Sequence, residues 1–112
     1  MPGTGDTVRV ETTVDSREGA QRLARSVIEH GLAACAQVGG PVTSFYRWEG
    51  AVQADEEWTV VAKTAVGRLA DLTAHLLEAH PYDVPEIVAV AVVGGNPAYL
   101  DWVRDETRGG AE

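Results

Sequence analysis

The chain has 112 residues, 45% of them apolar and 23% charged, the balance of one globular domain and not of a disordered segment. Nine Lys and Arg against seventeen Asp and Glu give a formal net charge of −8, which argues against nucleic acid, because that affinity is built on phosphate neutralisation. No run approaches the roughly 18 consecutive apolar residues of a membrane span. The opening "MPGTGDTVRVE" has no basic start leading into an apolar segment, and the lone Cys35 has no internal disulfide partner, so the expected setting is the reducing cytoplasm.

Residues 1–7 are small and polar and read as a loose tail, like 108–112, around one domain at 8–107. In "TVRVETTV" Val8, Val10, Thr12 and Val14 alternate with Arg9, Glu11 and Thr13, the period of a half-buried strand. "DSRE" offers Asp15 as an N-cap with Glu18 three residues on. Ala20, Leu23, Ala24, Val27 and Ile28 follow at helical spacing, and Gly31 supplies the stop. "LAACAQV" and "VTSFYRW" read as one long strand with a bulge or kink at "GGP", and Glu49-Gly50 as a hairpin turn. A second long strand returns through Trp58, Val60, Ala62 and Thr64. A helix over about 66–79 follows, and Pro81 and Pro85 hold the next linker extended. "EIVAVAVV" is an unbroken apolar strand, and Asn96-Pro97 caps a closing helix over about 97–107.

The order βαββαβ with an extra C-terminal helix predicts an α+β open-faced sandwich, with the helices on one side of an antiparallel sheet. The run Ile87–Val93 carries no polar side chain on either face, so both faces are expected to be buried. The second cover has to come from another copy of the chain. The long hairpin from about Val42 to Thr64, with Phe45, Trp48 and Trp58, points to the same closed homo-oligomer.

Three groups of side chains are candidates for chemistry. His80, Tyr82, Asp83 and Glu86 crowd a proline-stiffened elbow, where an imidazole among carboxylates suits a divalent ion. The competing reading makes His80 a cap on the preceding helix and Tyr82 a packing residue. Cys35, between Ala34 and Ala36, is either a small buried hydrophobe or a soft ligand for copper. Trp48, Glu57, Lys63 and Trp102 suit an interface, with Lys63 holding an anion or forming an intersubunit salt bridge to a carboxylate such as Glu57 or Glu86. No G-x-S-x-G or recognisable Ser/His/Asp order sets up a nucleophile, so no enzyme is expected.

"DSREGAQRLARSVIEHGLAACAQV", "TSFYRWEG", "VVAKT", "HPYDVPEI" and "GNPAYLDWV" together resemble the CutA family of divalent-cation tolerance proteins, over about Val8 to Thr107. The resemblance implies a ferredoxin-like subunit in a tight homotrimer and a connection to Cu²⁺ or another divalent cation, without an organic cofactor. In members implicated in metal binding, a cysteine ends the first strand and two histidines precede the Pro-Tyr. Those positions hold Glu11, Ala79 and His80 here, which makes His80 the first expected ligand, followed by Glu11 and Cys35. Tyr46, Trp48, Lys63, Tyr82, Glu86 and Trp102 match further family positions and are expected to line a binding cleft. The trimer also resembles PII-type signalling proteins, so the alternative function is a regulatory module holding a small anionic ligand or nucleotide between subunits. A third reading is an acylphosphatase-like hydrolase, with Arg17 in "VDSREG" as its anion-binding arginine.

Overall fold

The computed structural model describes residues 6–108. The expected tails fall largely outside them: 1–5 and 109–112 are not described, and the first strand already begins at Thr7. In chain order the elements are β1 (Thr7–Val14), α1 (Arg17–Glu29), β2 (Cys35–Trp48), β3 (Ala51–Ala65), α2 (Leu69–Ala79), β4 (Ile87–Val92) and α3 (Pro97–Thr107), with a short 3-10 turn, Val66–Arg68, leading into α2.

Every strand pairing is antiparallel, and the order across the sheet is β2-β3-β1-β4. With both crossover helices on one side, this is the ferredoxin-like arrangement. The register separates the faces. Val8, Val10, Thr12 and Val14 of β1 share a face with Thr64, Ala62, Val60 and Trp58 of β3. That face packs against Ala20, Leu23, Ala24 and Val27 of α1 and Leu72 and Leu76 of α2 to form the core. The opposite face carries Arg9 and Glu11 of β1, Val61 and Lys63 of β3, Val88 and Val90 of β4, and Cys35 and Gln37 of β2. Helix α3 lies against one end of this second face: Tyr99 touches Cys35 there, and Leu100 and Val103 are buried.

Local chemistry explains where the elements stop. Ser16, not Asp15, caps α1: it is extended (φ −149°, ψ 150°), and its hydroxyl accepts from the Gly19 amide at 2.9 Å. Gly31 adopts φ +69° just past α1, and the Leu32 amide then reaches back to the Val27 carbonyl at 2.9 Å. Those returning bonds hold Leu32 and Ala33 in the core as part of a turn, so β2 starts at Cys35 and not at Leu32. Glu49 (φ 51°) and Gly50 (φ 81°) make the tight β2–β3 turn, whose positive φ values match the strand twist. The register of β2 against β3 shifts between Gly39 and Val42, the bulge expected at "GGP". Gly40 is required there: a Cβ would stand 3.1 Å from the Glu57 carbonyl oxygen, at φ +123°.

Among the described strands the sheet has two edges, β2 and β4. β4 pairs only with β1 among the described strands. Val88 is 45% and Val90 50% exposed, so the strand that reads as buried on both sides is uncovered within one subunit. The far half of the β2–β3 hairpin is equally bare, with Phe45 72% and Trp48 62% exposed.

Candidate functional site

Pro81 shapes the elbow after α2. The residue before a proline is pushed out of the helical region, and His80 accordingly takes φ −76°, ψ 139°, while its amide still donates to the Leu76 carbonyl at 2.9 Å. This turns the imidazole under β1, where it is only 7% exposed. Nε2 lies 2.8 Å from the Thr13 carbonyl oxygen, to which it donates, and Nδ1 accepts the Tyr82 amide at 3.1 Å. Both ring nitrogens are therefore occupied inside the subunit. His80 ties the end of α2 to the end of β1.

Tyr82 extends the same tie. Its ring centroid lies 4.7 Å from that of His80, and its hydroxyl donates to Glu57 Oε2 at 2.8 Å. Partial burial, and then the Glu57 carboxylate, push the phenol well above its ordinary value, so it stays a donor. Glu57 thus belongs to Tyr82. Within the subunit Lys63 Nζ donates to Gln37 Oε1 at 3.4 Å, and the pairing expected from sequence, with Glu57 or Glu86 of a neighbouring copy, concerns the assembly. Glu86 is exposed beyond the elbow, just ahead of β4.

Glu11 and Cys35 lie on the second sheet face. Arg9 Nε approaches Glu11 Oε2 at 2.8 Å. Cys35, a half-buried free thiol, has Sγ 3.2 Å from the Tyr99 hydroxyl. That hydrogen bond, with some burial, raises the Tyr99 phenol to about 12. Tyr99 in turn stacks obliquely on Trp102, centroids 5.6 Å apart. Tyr46 donates to Asp55 on the exposed half of the hairpin, and this bond raises its phenol above the ordinary value. Trp48 sits opposite Ala51 at the hairpin tip.

His80, Glu11 and Cys35 do not fit one metal centre in a single subunit. Among the described residues no three His, Cys, Asp or Glu side chains gather as a possible ion site. The Nδ1 lone pair of His80 is spent on the Tyr82 amide and its Nε2 proton on the Thr13 carbonyl, whereas Glu11 and Cys35 face the other side of the sheet. A cleft of about 330 Å³ opens between the start of α1 and the elbow, lined by Asp15, Ser16, Arg22, Ser26, Ala79 and Pro81, and it holds none of the three. Arg17 does not cradle an anion either: its guanidinium lies over the Trp58 ring, 5.9 Å from the centroid.

Comparison with known proteins agrees with this architecture. The family described as "CutA1 divalent ion tolerance protein" matches residues 8–106. The divalent-cation tolerance protein CutA of Thermus thermophilus is 42% identical over 95 residues, covering 85% of this chain and 92% of that protein. The chloroplastic CutA of Arabidopsis thaliana is 41% identical over 99 residues, or 88% of this chain, which spans only 54% of that longer protein. Among solved structures, CutA1 from Oryza sativa superposes with a TM-score of 0.90 at 41% identity, covering 96% of this chain and 98% of that one. The solved divalent cation tolerance protein from Thermus thermophilus gives 0.88 at 40% identity, covering 90% of this chain and 98% of that one. With a match across nearly the whole described domain and relatives above 40% identity, the chain belongs to the CutA family of divalent-cation tolerance proteins.

Proposed function

We propose that the chain works as a non-enzymatic, cytoplasmic homotrimer that binds Cu²⁺ or another divalent cation weakly and so contributes to metal tolerance. The observation that carries this reading is the family match over 8–106, together with relatives named for that tolerance. The assembly is supported by the bare second face: a strand made of Ile, Val and Ala, half exposed, needs an apolar cover, and a second and third copy supply it symmetrically. The number three comes from the family resemblance. Glu11 and Cys35 lie on the face that assembly would close, and they are the proposed intersubunit contacts to an ion. His80 is proposed as the structural pin of the elbow. Growth of a deletion strain in raised Cu²⁺, with and without the restored gene, tests the reading. Hypersensitivity rescued by this chain is expected, and unchanged tolerance of the deletion strain would overturn it.

A second reading keeps the same assembly and gives it a small anionic ligand or nucleotide. It is favoured by Arg9 and Lys63, which the register sets side by side on the open face. Tyr46, Trp48, Tyr82, Glu86 and Trp102 would line the clefts between subunits. A thermal-shift screen separates the two, because a ligand that binds only the folded state raises the melting temperature. A rise with nucleotides and none with divalent cations would favour the second reading.

A further inference from the structure

The chain has three histidines, and the family resemblance draws attention only to His80. The other two meet on the outer surface of the helical layer. His30 follows the last turn of α1, His75 stands in the middle of α2, and their ring centroids are 4.7 Å apart with planes tilted by 45°. His30 is exposed and His75 half-buried, so solvent and ions reach the pair.

One residue orients both rings. The Ser26 hydroxyl has a single proton, and it donates that proton to the Leu23 carbonyl at 3.0 Å. With that proton on the Leu23 carbonyl, Ser26 Oγ accepts from His75 Nε2, 2.9 Å away, in the tautomer that carries the ring proton on Nε2. His30 Nδ1 lies 2.8 Å from the Ser26 carbonyl oxygen, which has no proton to give, so Nδ1 carries the proton there. The remaining nitrogens, His30 Nε2 and His75 Nδ1, are left with bare lone pairs. A ring fixed by donating its far N–H to a carbonyl or hydroxyl is the arrangement that presents imidazole to a metal.

The spacing is also suitable. An ion ~2.0–2.1 Å from one nitrogen of each of two rings, at an angle near 90–100°, sets the ring centroids roughly 4.5–5 Å apart. We infer that His30 and His75 form a two-imidazole site for a borderline divalent cation, Cu²⁺ ahead of Zn²⁺, on the outer helical face of each subunit.

Imidazole nitrogen selects Cu²⁺, Ni²⁺ and Zn²⁺ over Mg²⁺ and Ca²⁺, and Cu²⁺ forms the strongest complexes of the series. Water completes the coordination, since among the described residues no third His, Cys, Asp or Glu makes up a larger group. The pair lies on the helices and not on the open sheet face, so assembly through that face leaves it accessible. The choice of ion rests on the divalent-cation reading above. The site itself rests on geometry.

The test is Cu²⁺ titration calorimetry of the full chain and of the His30→Gln/His75→Gln double variant, with side-chain ¹⁵N spectra of the wild type in Zn²⁺. The double variant is expected to bind Cu²⁺ at least roughly tenfold more weakly. Zn²⁺ is expected to move the His30 Nε2 and His75 Nδ1 resonances and to leave both His80 nitrogens in place. Equal Cu²⁺ affinity in the two proteins overturns the site, as does Zn²⁺ that shifts His80 or no histidine at all. The wild-type spectra decide the matter even where the double variant folds poorly. Rescue of copper tolerance by the double variant would separate the two readings, removing this site from the tolerance function while leaving the tolerance reading intact.

Discussion

Replacing His80 with Ala separates an elbow from a ligand. In the folded chain the ring is 7% exposed and makes two hydrogen bonds, to the Thr13 carbonyl and from the Tyr82 amide. Alanine leaves both backbone groups without that partner in a partly buried place, at about 1 kcal/mol each or somewhat more. The vacated ring volume adds about 1–2 kcal/mol, since the tie between α2 and β1 cannot close completely. The expected loss is about 3–4 kcal/mol per subunit, a large share of a domain's usual stability. Guanidinium unfolding of wild type and His80→Ala at one protein concentration measures it, because assembly makes the midpoint concentration-dependent. Copper calorimetry on the same samples gives the second half: affinity is expected to be unchanged. A stability loss below about 1 kcal/mol together with weakened Cu²⁺ binding would refute the reasoning and restore His80 as a ligand.

Other substitutions test single links of the account. Ser16→Ala removes the hydroxyl that accepts from Gly19 and is expected to cost about 1 kcal/mol by thermal unfolding, whereas Asp15→Ala is expected to cost distinctly less. Thr12 faces the core with a buried hydroxyl that has no partner among the described residues, so Thr12→Val is expected to stabilise by about 1 kcal/mol. A lower melting point would point to a hidden partner. The His75 ring, depressed by burial and by His30, predicts a pH effect with a definite sign. Its unfolded form takes up a proton first as pH falls below about 6.5, so stability drops there and is flat above, and His75→Gln is expected to reduce that slope. Ser26→Ala removes the hydroxyl that orients His75 and leaves the carbonyl that orients His30. Its Cu²⁺ affinity at the paired histidines is expected to fall about tenfold, measured by titration, with folding retained.

The fold was legible because its signals are local. Alternation in "TVRVETTV", the break at "GGP" and the Asn96-Pro97 cap each act within a few residues, and each element formed where they point. The cap of α1 moved by one residue, to Ser16, because β1 runs through Val14 and leaves Ser16 extended beneath the Gly19 amide. The start of β2 moved to Cys35 because the turn after Gly31 spends the Leu32 and Ala33 amides on Val27. The site was less legible, since burial and partnership are tertiary. Nothing in "HPYDVPEI" shows that Thr13, 67 residues earlier, accepts from His80. Ser26 and His75 are 49 residues apart, so only the packing of α1 on α2 brings them together. Ser26 and His30 are one helical turn apart, but a serine and a histidine at that spacing on a helix carry no signal of a site by themselves.

β4 connects sequence to assembly most directly. Its unbroken apolar composition demands a cover on both faces, and one subunit leaves Val88 and Val90 about half bare. Static light scattering of the purified chain at micromolar concentration measures whether that cover exists. The account predicts a particle of three times the 11.9 kDa chain mass. A particle of 11.9 kDa, with Val88 and Val90 open to water in a stable folded monomer, would contradict it.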